Sequence, residues 1–198
     1  MFEDGFHSEI ESAALATGYG PILRNSGREA FSLRQQIFEQ VRASGRIARA
    51  TIARSLHVSP GSVTALTAEL IADGFLREVE GAARETSRGR PPVALEVVPE
   101  ALRVVGVKLS DETHTAVLTD LAGNLLASAA LGSTTDKKTA TDLLKDTENL
   151  IAQLCTEAEI PMDTISAIGV GISGIVDFES GMVAWSPLLQ NADVPLGQ

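Results

Sequence analysis

Between Ser32 and Gly74 the chain carries three helical patterns, each too short to be stable alone, so they can persist only by packing on one another. Ser32 is placed to cap the first, whose apolar residues Leu33, Ile37, Phe38 and Val41 recur at helical spacing before Gly45 ends it. A second helix fits Ala50 to Ser55. A third fits Pro60 to Asp73, with Ser59 as cap, Pro60 at the first helical position and Gly74 after the end. Two strand-like runs follow, Phe75 to Val79 and Val93 to Val98, separated by EGAARETSRGRPP. Helix, helix, helix, strand, basic loop, strand is the order of a winged helix-turn-helix, here spanning residues 31–98. Residues 1–30 show no sustained period and are rich in glycine, which predicts a flexible leader, with a short helix around Ser8 to Ala16 as its one candidate element.

The crossing of the second and third helices needs buried residues, and Ile52, Ala53, Leu56, Val58, Val63 and Leu66 supply them. His57 falls where the turn wants a residue tolerant of positive φ, which makes it a turn residue rather than a ligand or base. On the third helix Val63, Leu66, Leu70 and Ile71 form the inward stripe. Gly61, Ser62, Thr64, Ala65 and Thr67 lie on or near the outward face. A packed three-helix unit that binds no nucleic acid is the bland alternative; a small, hydroxylated face and a loop carrying Arg84, Arg88 and Arg90 favour DNA. The start of the third helix would then enter the major groove, bringing Ser59, Gly61, Ser62, Thr64, Ala65 and Thr67 near base edges or phosphates. Arg88 and Arg90 would reach the adjacent minor groove, with Gly89 allowing close approach and Pro91 and Pro92 stiffening the return.

Charge placement supports that division. From Arg24 to Arg90 there are 11 arginines against seven acids, a balance of +4, whereas from Pro99 onward five basic residues face 14 acids, a balance of −9. The formal charge of −10 over 198 residues therefore does not argue against a nucleic-acid partner for the first part. One cysteine, Cys155, rules out an internal disulfide and a multi-cysteine zinc site, and the histidines His7, His57 and His114 stand too far apart for metal-ligand spacing. The acidic start MFEDGFHSEIES lacks the form of a signal peptide, and no apolar run suits a membrane span, so a cytoplasmic protein without membrane partners is expected.

Residues 99–198 change pattern. Val104 to Leu109, His114 to Asp120 and Asn124 to Ala130 predict three strands in an antiparallel meander. An amphipathic helix follows over Thr139 to Ala158, with Leu143, Leu144, Thr147, Leu150, Ile151, Leu154 and Cys155 on one side. Cys155 reads as a core residue. Ile168 to Ile172 reads as a buried strand, followed by glycine-marked turns.

The winged helix ending in GRPP, the strand pair VVGVKLSDETHTAVLTDLAGNLL and the run IGVGISGIVDFESGMVAWSPLLQNADVPLG together resemble the ROK family of repressors, open reading frames and kinases, in its transcription-factor branch. The resemblance implies an α+β chain: an N-terminal winged helix-turn-helix, then part of a ribonuclease-H-like lobe of the actin and hexokinase type. In the family's kinases the first strand ends in an aspartate before a glycine-rich turn and threonine that hold ATP phosphates and magnesium. Here Lys108 stands at that aspartate, and Ser110, Asp111 and Glu112 replace the turn, so phosphoryl transfer, cofactor and metal are not expected. Gly174, Ser186 and Leu188 fall near the family's sugar pocket, although Ser173 replaces a proline and Leu188 an asparagine, and these glycines equally serve as chain turns.

What the resemblance implies for function is a repressor of carbohydrate genes that binds a double-stranded operator as a homo-oligomer and, in a complete relative, answers to a sugar or sugar-phosphate. A carbohydrate kinase fragment with an accessory DNA-binding domain is the alternative, and a DNA-binding fragment without effector control is a third. Family members continue past a VPLG-like segment to further landmarks, so a chain shortened within the first lobe is expected, with apolar surface left uncovered in its acidic half.

Overall fold

The computed structural model describes residues 32–80, 93–134, 136–177 and 180–196. The suggested helix around Ser8 to Ala16 lies outside them. The chain is mixed α+β and divides into two compact units, one reaching Ala101 and including Leu121–Asn124, the other comprising Leu102–Asp120 and the chain from Leu125.

The first unit begins with α1 (Leu33–Ser44), closed at its start by a reciprocal capping box: Ser32 Oγ accepts from Gln35 N–H at 3.3 Å, and Gln35 Oε1 accepts from Ser32 N–H at 2.9 Å. Gly45, at φ 69°, ends it. A two-residue strand, β1 (Ile47–Ala48), leads into α2 (Arg49–Leu56), and α3 (Pro60–Ala72) follows after a short turn. β2 (Leu76–Glu80) and β3 (Val93–Val97) form an antiparallel hairpin, and β1 pairs with the free side of β3, giving the order β1-β3-β2. Ile37, Val41, Ile52, Val63, Leu70, Leu76 and Leu95 form the core, with small Ala53 buried among them.

Ion pairs clasp the outside of this unit. Glu96 on β3 bonds Arg46 and Arg77, each at 2.6 Å. Burial pulls the Glu96 carboxyl up, but hydrogen bonds from Arg77 and Arg46 outweigh it and hold its pKa below the usual value. Arg34 pairs with Asp73, and Arg42 with Glu39 at 2.6 Å.

The second unit carries a four-stranded sheet ordered β6-β5-β4-β7, from β4 (Arg103–Leu109), β5 (Thr113–Asp120), β6 (Leu125–Gly132) and β7 (Ala167–Ile172). The first three are the antiparallel meander read from the sequence. β7 lies parallel to β4 because α4 (Ala140–Glu157) carries the chain across the sheet between β6 and β7. Thr139 and Asp142 box the start of α4, and Leu143, Leu150, Ile151, Leu154 and Cys155 pack on Val105, Val107, Leu109, Ala116 and Leu118. A smaller antiparallel sheet joins β8 (Ile175–Asp177), β9 (Met182–Trp185) and β10 (Val194–Pro195).

Two expectations need correction. β7 is present but not buried, with Ile168 51% and Val170 50% exposed. It has one hydrogen-bonded neighbour among the described strands, and α4 covers β4, β5 and β6 instead. Leu144, expected among the inward residues of α4, is 46% exposed and lines an open apolar groove with Ile168, Val170 and Val176.

Behind the β4–β5 turn buried His114 joins a half-buried polar cluster. Ser110 N–H donates to His114 Nδ1 at 3.1 Å, so the proton of the neutral ring sits on Nε2, which faces Asp146 Oδ2 at 3.5 Å. Lys138 Nζ lies 2.5 Å from the same Asp146 oxygen. Burial above all, then the Lys138 charge, holds the pKa of His114 below its ordinary 6.5, with Asp146 opposing.

Two expected outcomes follow from these geometries. The folded chain binds fewer protons at His114 than the unfolded chain, so this site's contribution to stability is complete above pH 6.5 and is lost as pH falls from there toward the folded pKa. Urea midpoints of the second unit should therefore decline across that window, and His114→Gln should flatten the decline; a midpoint rising toward acid would contradict it. In the first unit His57 holds φ 56° and ψ 40° at the end of α2. His57→Val should cost about 1–2 kcal/mol, the penalty of a left-handed backbone for a side chain worse suited to it. His57→Gly should hold stability level or raise it, both read by urea unfolding followed through helical circular dichroism.

Candidate nucleic-acid interface

The turn between α2 and α3 is built by three consecutive devices. His57 takes the left-handed conformation that stops α2, and Val58 N–H then donates back to Ala53 C=O at 3.0 Å. Ser59 is extended and starts α3, its Oγ accepting from Ser62 N–H at 3.0 Å. Pro60 takes the first helical position, where its missing N–H leaves no helical bond unmade. Each device uses the residue type noted in the sequence, and α3 is anchored from beneath by fully buried Val63 and nearly buried Leu70.

The N-terminal half of the face that α3 turns to solvent carries Ser59, Gly61, Ser62, Thr64 and Ala65, all exposed, and Ala68 and Glu69 continue it toward the C-terminal end, where Glu69 Oε2 lies 4.0 Å from Arg34 Nε. Ser59 Oγ and Ser62 Oγ lie 2.8 Å apart, and Thr64 Oγ1 donates to Pro60 C=O at 2.9 Å, which turns its hydroxyl proton inward along the helix. A Cβ added at Gly61 would meet nothing closer than Ser59 Oγ at 3.8 Å, so the fold itself does not require glycine there. The first turn of α3 has no acidic residue, so the positive end of its dipole is not neutralised from within that turn. Thr67 departs from the expectation of an outward residue. It is fully buried, its Oγ1 donating to Thr64 C=O at 3.2 Å and accepting from Arg49 Nε at 2.9 Å. A threonine facing α2 with both hydrogen-bonding capacities satisfied has nothing to offer a base edge.

Arg84, Arg88, Gly89 and Arg90 lie outside the described residues. What is described of their setting is the hairpin stem, paired from Leu76 with Val97 to Glu80 with Val93, which fixes the base from which residues 81–92 leave and return.

The arginine excess of this unit proves less free than the count suggested. Arg34, Arg42, Arg46, Arg49 and Arg77 are all paired with carboxylates. Arg54, exposed on the last turn of α2, instead bonds Ala50 C=O at 3.4 Å and Thr51 Oγ1 at 3.3 Å, leaning on its own helix. It is the described cation of this unit that keeps its charge uncompensated by an adjacent carboxylate. Helical spacing already turned Arg54 away from Ile52 and Ala53, but among so many arginines nothing in the sequence singled it out.

The other candidate residues fall in the second unit. Leu188 is 6% exposed and part of the core, and Ser186 is 2% exposed with its Oγ accepting from Leu188 N–H at 3.1 Å. Both residues thus contribute to the packing of this part of the chain. Gly174, at φ 148°, is required by its surroundings: an added Cβ would stand 2.1 Å from Trp185 C=O. At the turn after β4, Ser110 N–H is taken by His114, while Asp111, Glu112 and Lys108 are exposed. Among the described residues no cluster of histidine, cysteine or carboxylate could hold a metal ion, and no helix is long and apolar enough to cross a membrane.

No family model matches the chain. It is 30% identical over 154 residues to a putative xylose repressor of Caldicellulosiruptor sp. (strain Rt8B.4), a match covering 76% of this chain and 37% of that protein. It is 29% identical over 156 residues to the DNA-binding transcriptional dual regulator NagC of Escherichia coli (strain K12), covering 78% and 37%. The DNA-binding transcriptional repressor Mlc of the same bacterium is 24% identical over 163 residues, covering 82% and 39%. The chain thus spans less than two-fifths of the length of these curated relatives. Among solved structures, a ROK family transcriptional regulator described as a homologue of E. coli Mlc superposes with a TM-score of 0.61 at 22% identity, covering 83% of this chain and 41% of that one, which establishes the shared α+β fold. The chain is thus similar in sequence to transcriptional repressors and regulators, and its α+β fold is that of a ROK family transcriptional regulator.

Proposed function

We propose that the chain is a DNA-binding transcriptional regulator, a repressor of carbohydrate genes, whose first unit is a winged helix-turn-helix over residues 31–98. The observation that carries this reading is the outward face of the first two turns of α3: small, uncharged and hydroxylated residues held on a rigid helix beside a tight turn, with Arg54 next to that turn. The first turns of this face can approach base edges without a steric or charge penalty, the acid of the exposed side, Glu69, standing farther along the helix. Ser62 and Ala65 suit hydrogen bonding and thymine-methyl contact respectively. Arg54 on α2 suits the phosphates that flank the groove, since the first helix of this motif crosses the backbone. Arg84, Arg88 and Arg90, on the loop leaving the β2–β3 stem, would serve the adjacent minor groove, with Gly89 giving close approach.

Residues 99–198, which contain the second unit, are read as part of a ribonuclease-H-like lobe that in the ROK family senses a sugar or sugar-phosphate, and the regulator as a cytoplasmic homo-oligomer. Its β4–β5 turn favours regulation over phosphoryl transfer. A phosphate would meet the carboxylates of Asp111 and Glu112, and the Ser110 amide at that turn is engaged by His114.

Anisotropy titration of labelled upstream DNA tests the reading. Binding should be tight at low salt and weaken steeply as salt rises. Arg54→Ala should weaken binding across all sequences and reduce the slope of log affinity against log salt by about 1, as expected for one lost phosphate contact. Arg88→Ala and Arg90→Ala should weaken it further. Absence of binding at low salt by a folded sample would overturn the proposal.

A further inference from the structure

The burial of Thr67 exposes a link that spans the first unit. Arg49, the first residue of α2, directs Nε to Thr67 Oγ1 in the middle of α3 at 2.9 Å and Nη2 to Glu78 Oε1 on β2 at 2.7 Å. One guanidinium therefore holds both the helix that carries the outward face and the strand that ends just before residue 81. Its planar fork fixes the angle between the two acceptors, which a single ammonium cannot do. On the far side of the link, the Thr67 hydroxyl proton goes to the carbonyl of Thr64, a residue of the outward face. The chain Arg49, Thr67, Thr64 thus runs from the inner to the outer side of α3.

Apolar packing beneath α3 resists its departure but is non-directional, and so defines its rotation about its own axis less sharply. The fork is directional. We infer that Arg49 is a positioning residue that sets the rotation of α3 relative to β2, and thereby the discrimination between DNA sequences, without touching DNA itself. Non-specific affinity comes from charge meeting phosphate and is insensitive to small rotations, whereas base contacts in the groove are not. Arg49→Lys preserves the charge and abolishes the fork. It should leave binding to arbitrary DNA unchanged and lower the preference for a chosen sequence by about tenfold, the worth of one misplaced base contact.

This inference rests on the DNA-binding reading, and the experiment separates the two. The full chain is used to select from duplexes with a randomised central segment. Affinity is then measured for the most enriched duplex and for a scrambled one, together with the salt slope and melting temperature of each variant. Arg49→Lys and Thr67→Val should each lower the enriched-to-scrambled ratio about tenfold at unchanged scrambled affinity and salt slope. Thr67→Ser, which restores the hydroxyl, should recover the ratio, an outcome that loss of packing alone would not give. An undiminished ratio in Arg49→Lys, or an equal loss on both duplexes, overturns the inference. Should Arg49→Lys fail to fold, the Thr67→Val and Thr67→Ser pair decides it by the same ratio. Failure of the unaltered chain to enrich any duplex removes the DNA-binding reading itself, and the inference with it.

Discussion

The left-handed backbone at His57 is the constraint on which the first unit is built. It reverses the chain between α2 and α3 within three residues, and the bond from Val58 N–H to Ala53 C=O closes the reversal. Without that turn Ile52 and Val63 could not enter one core, and α3 would have no fixed support. The small side chain of Ala53 is the steric complement of the same turn, since two helices joined so tightly must pass close to one another. A histidine in this conformation carries a modest backbone penalty that the surrounding core offsets.

Electrostatics acts on this unit mainly as an organiser. Residues 24–90 carry a balance of +4. In the fold, Glu96 gathers Arg46 and Arg77, Glu78 receives Arg49, and Asp73 receives Arg34. Exposed pairs of this kind contribute little stability individually. Glu96, only 12% exposed in its side chain, is the better placed of them, tying the approach to β1 to the hairpin. Charge counting along a sequence therefore overstates the cation available to a partner, and among the described arginines of the unit the surplus narrows to Arg54.

Local chemistry was the legible layer. Ser32, Ser59 and Thr139 start helices because a side-chain oxygen there accepts an otherwise unpaired amide, a rule that needs no knowledge of the rest of the chain. The three meander strands and the outward placement of Ser62, Thr64 and Ala65 followed from periodicity in the same way. The misses are tertiary. β1 is two residues long and exists only because β3 offers it a partner. Thr67 lies near the boundary of the helical stripe, and a distant arginine decided its direction. Val170 and Ile168 are apolar enough to look buried, but burial depends on what lies across from a strand, and α4 lies elsewhere.

Cys155 gains a use from its position. It is the chain's one thiol and sits 8% exposed against the sheet near the end of α4. A buried thiol reacts only when its cover lifts, so the rate at which a small alkylating reagent modifies it measures how often α4 separates from β4–β6. The first unit contributes no thiol to that signal. The molecule thus contains a native clock for the opening of its second unit, which can be read while the first is occupied, free or altered.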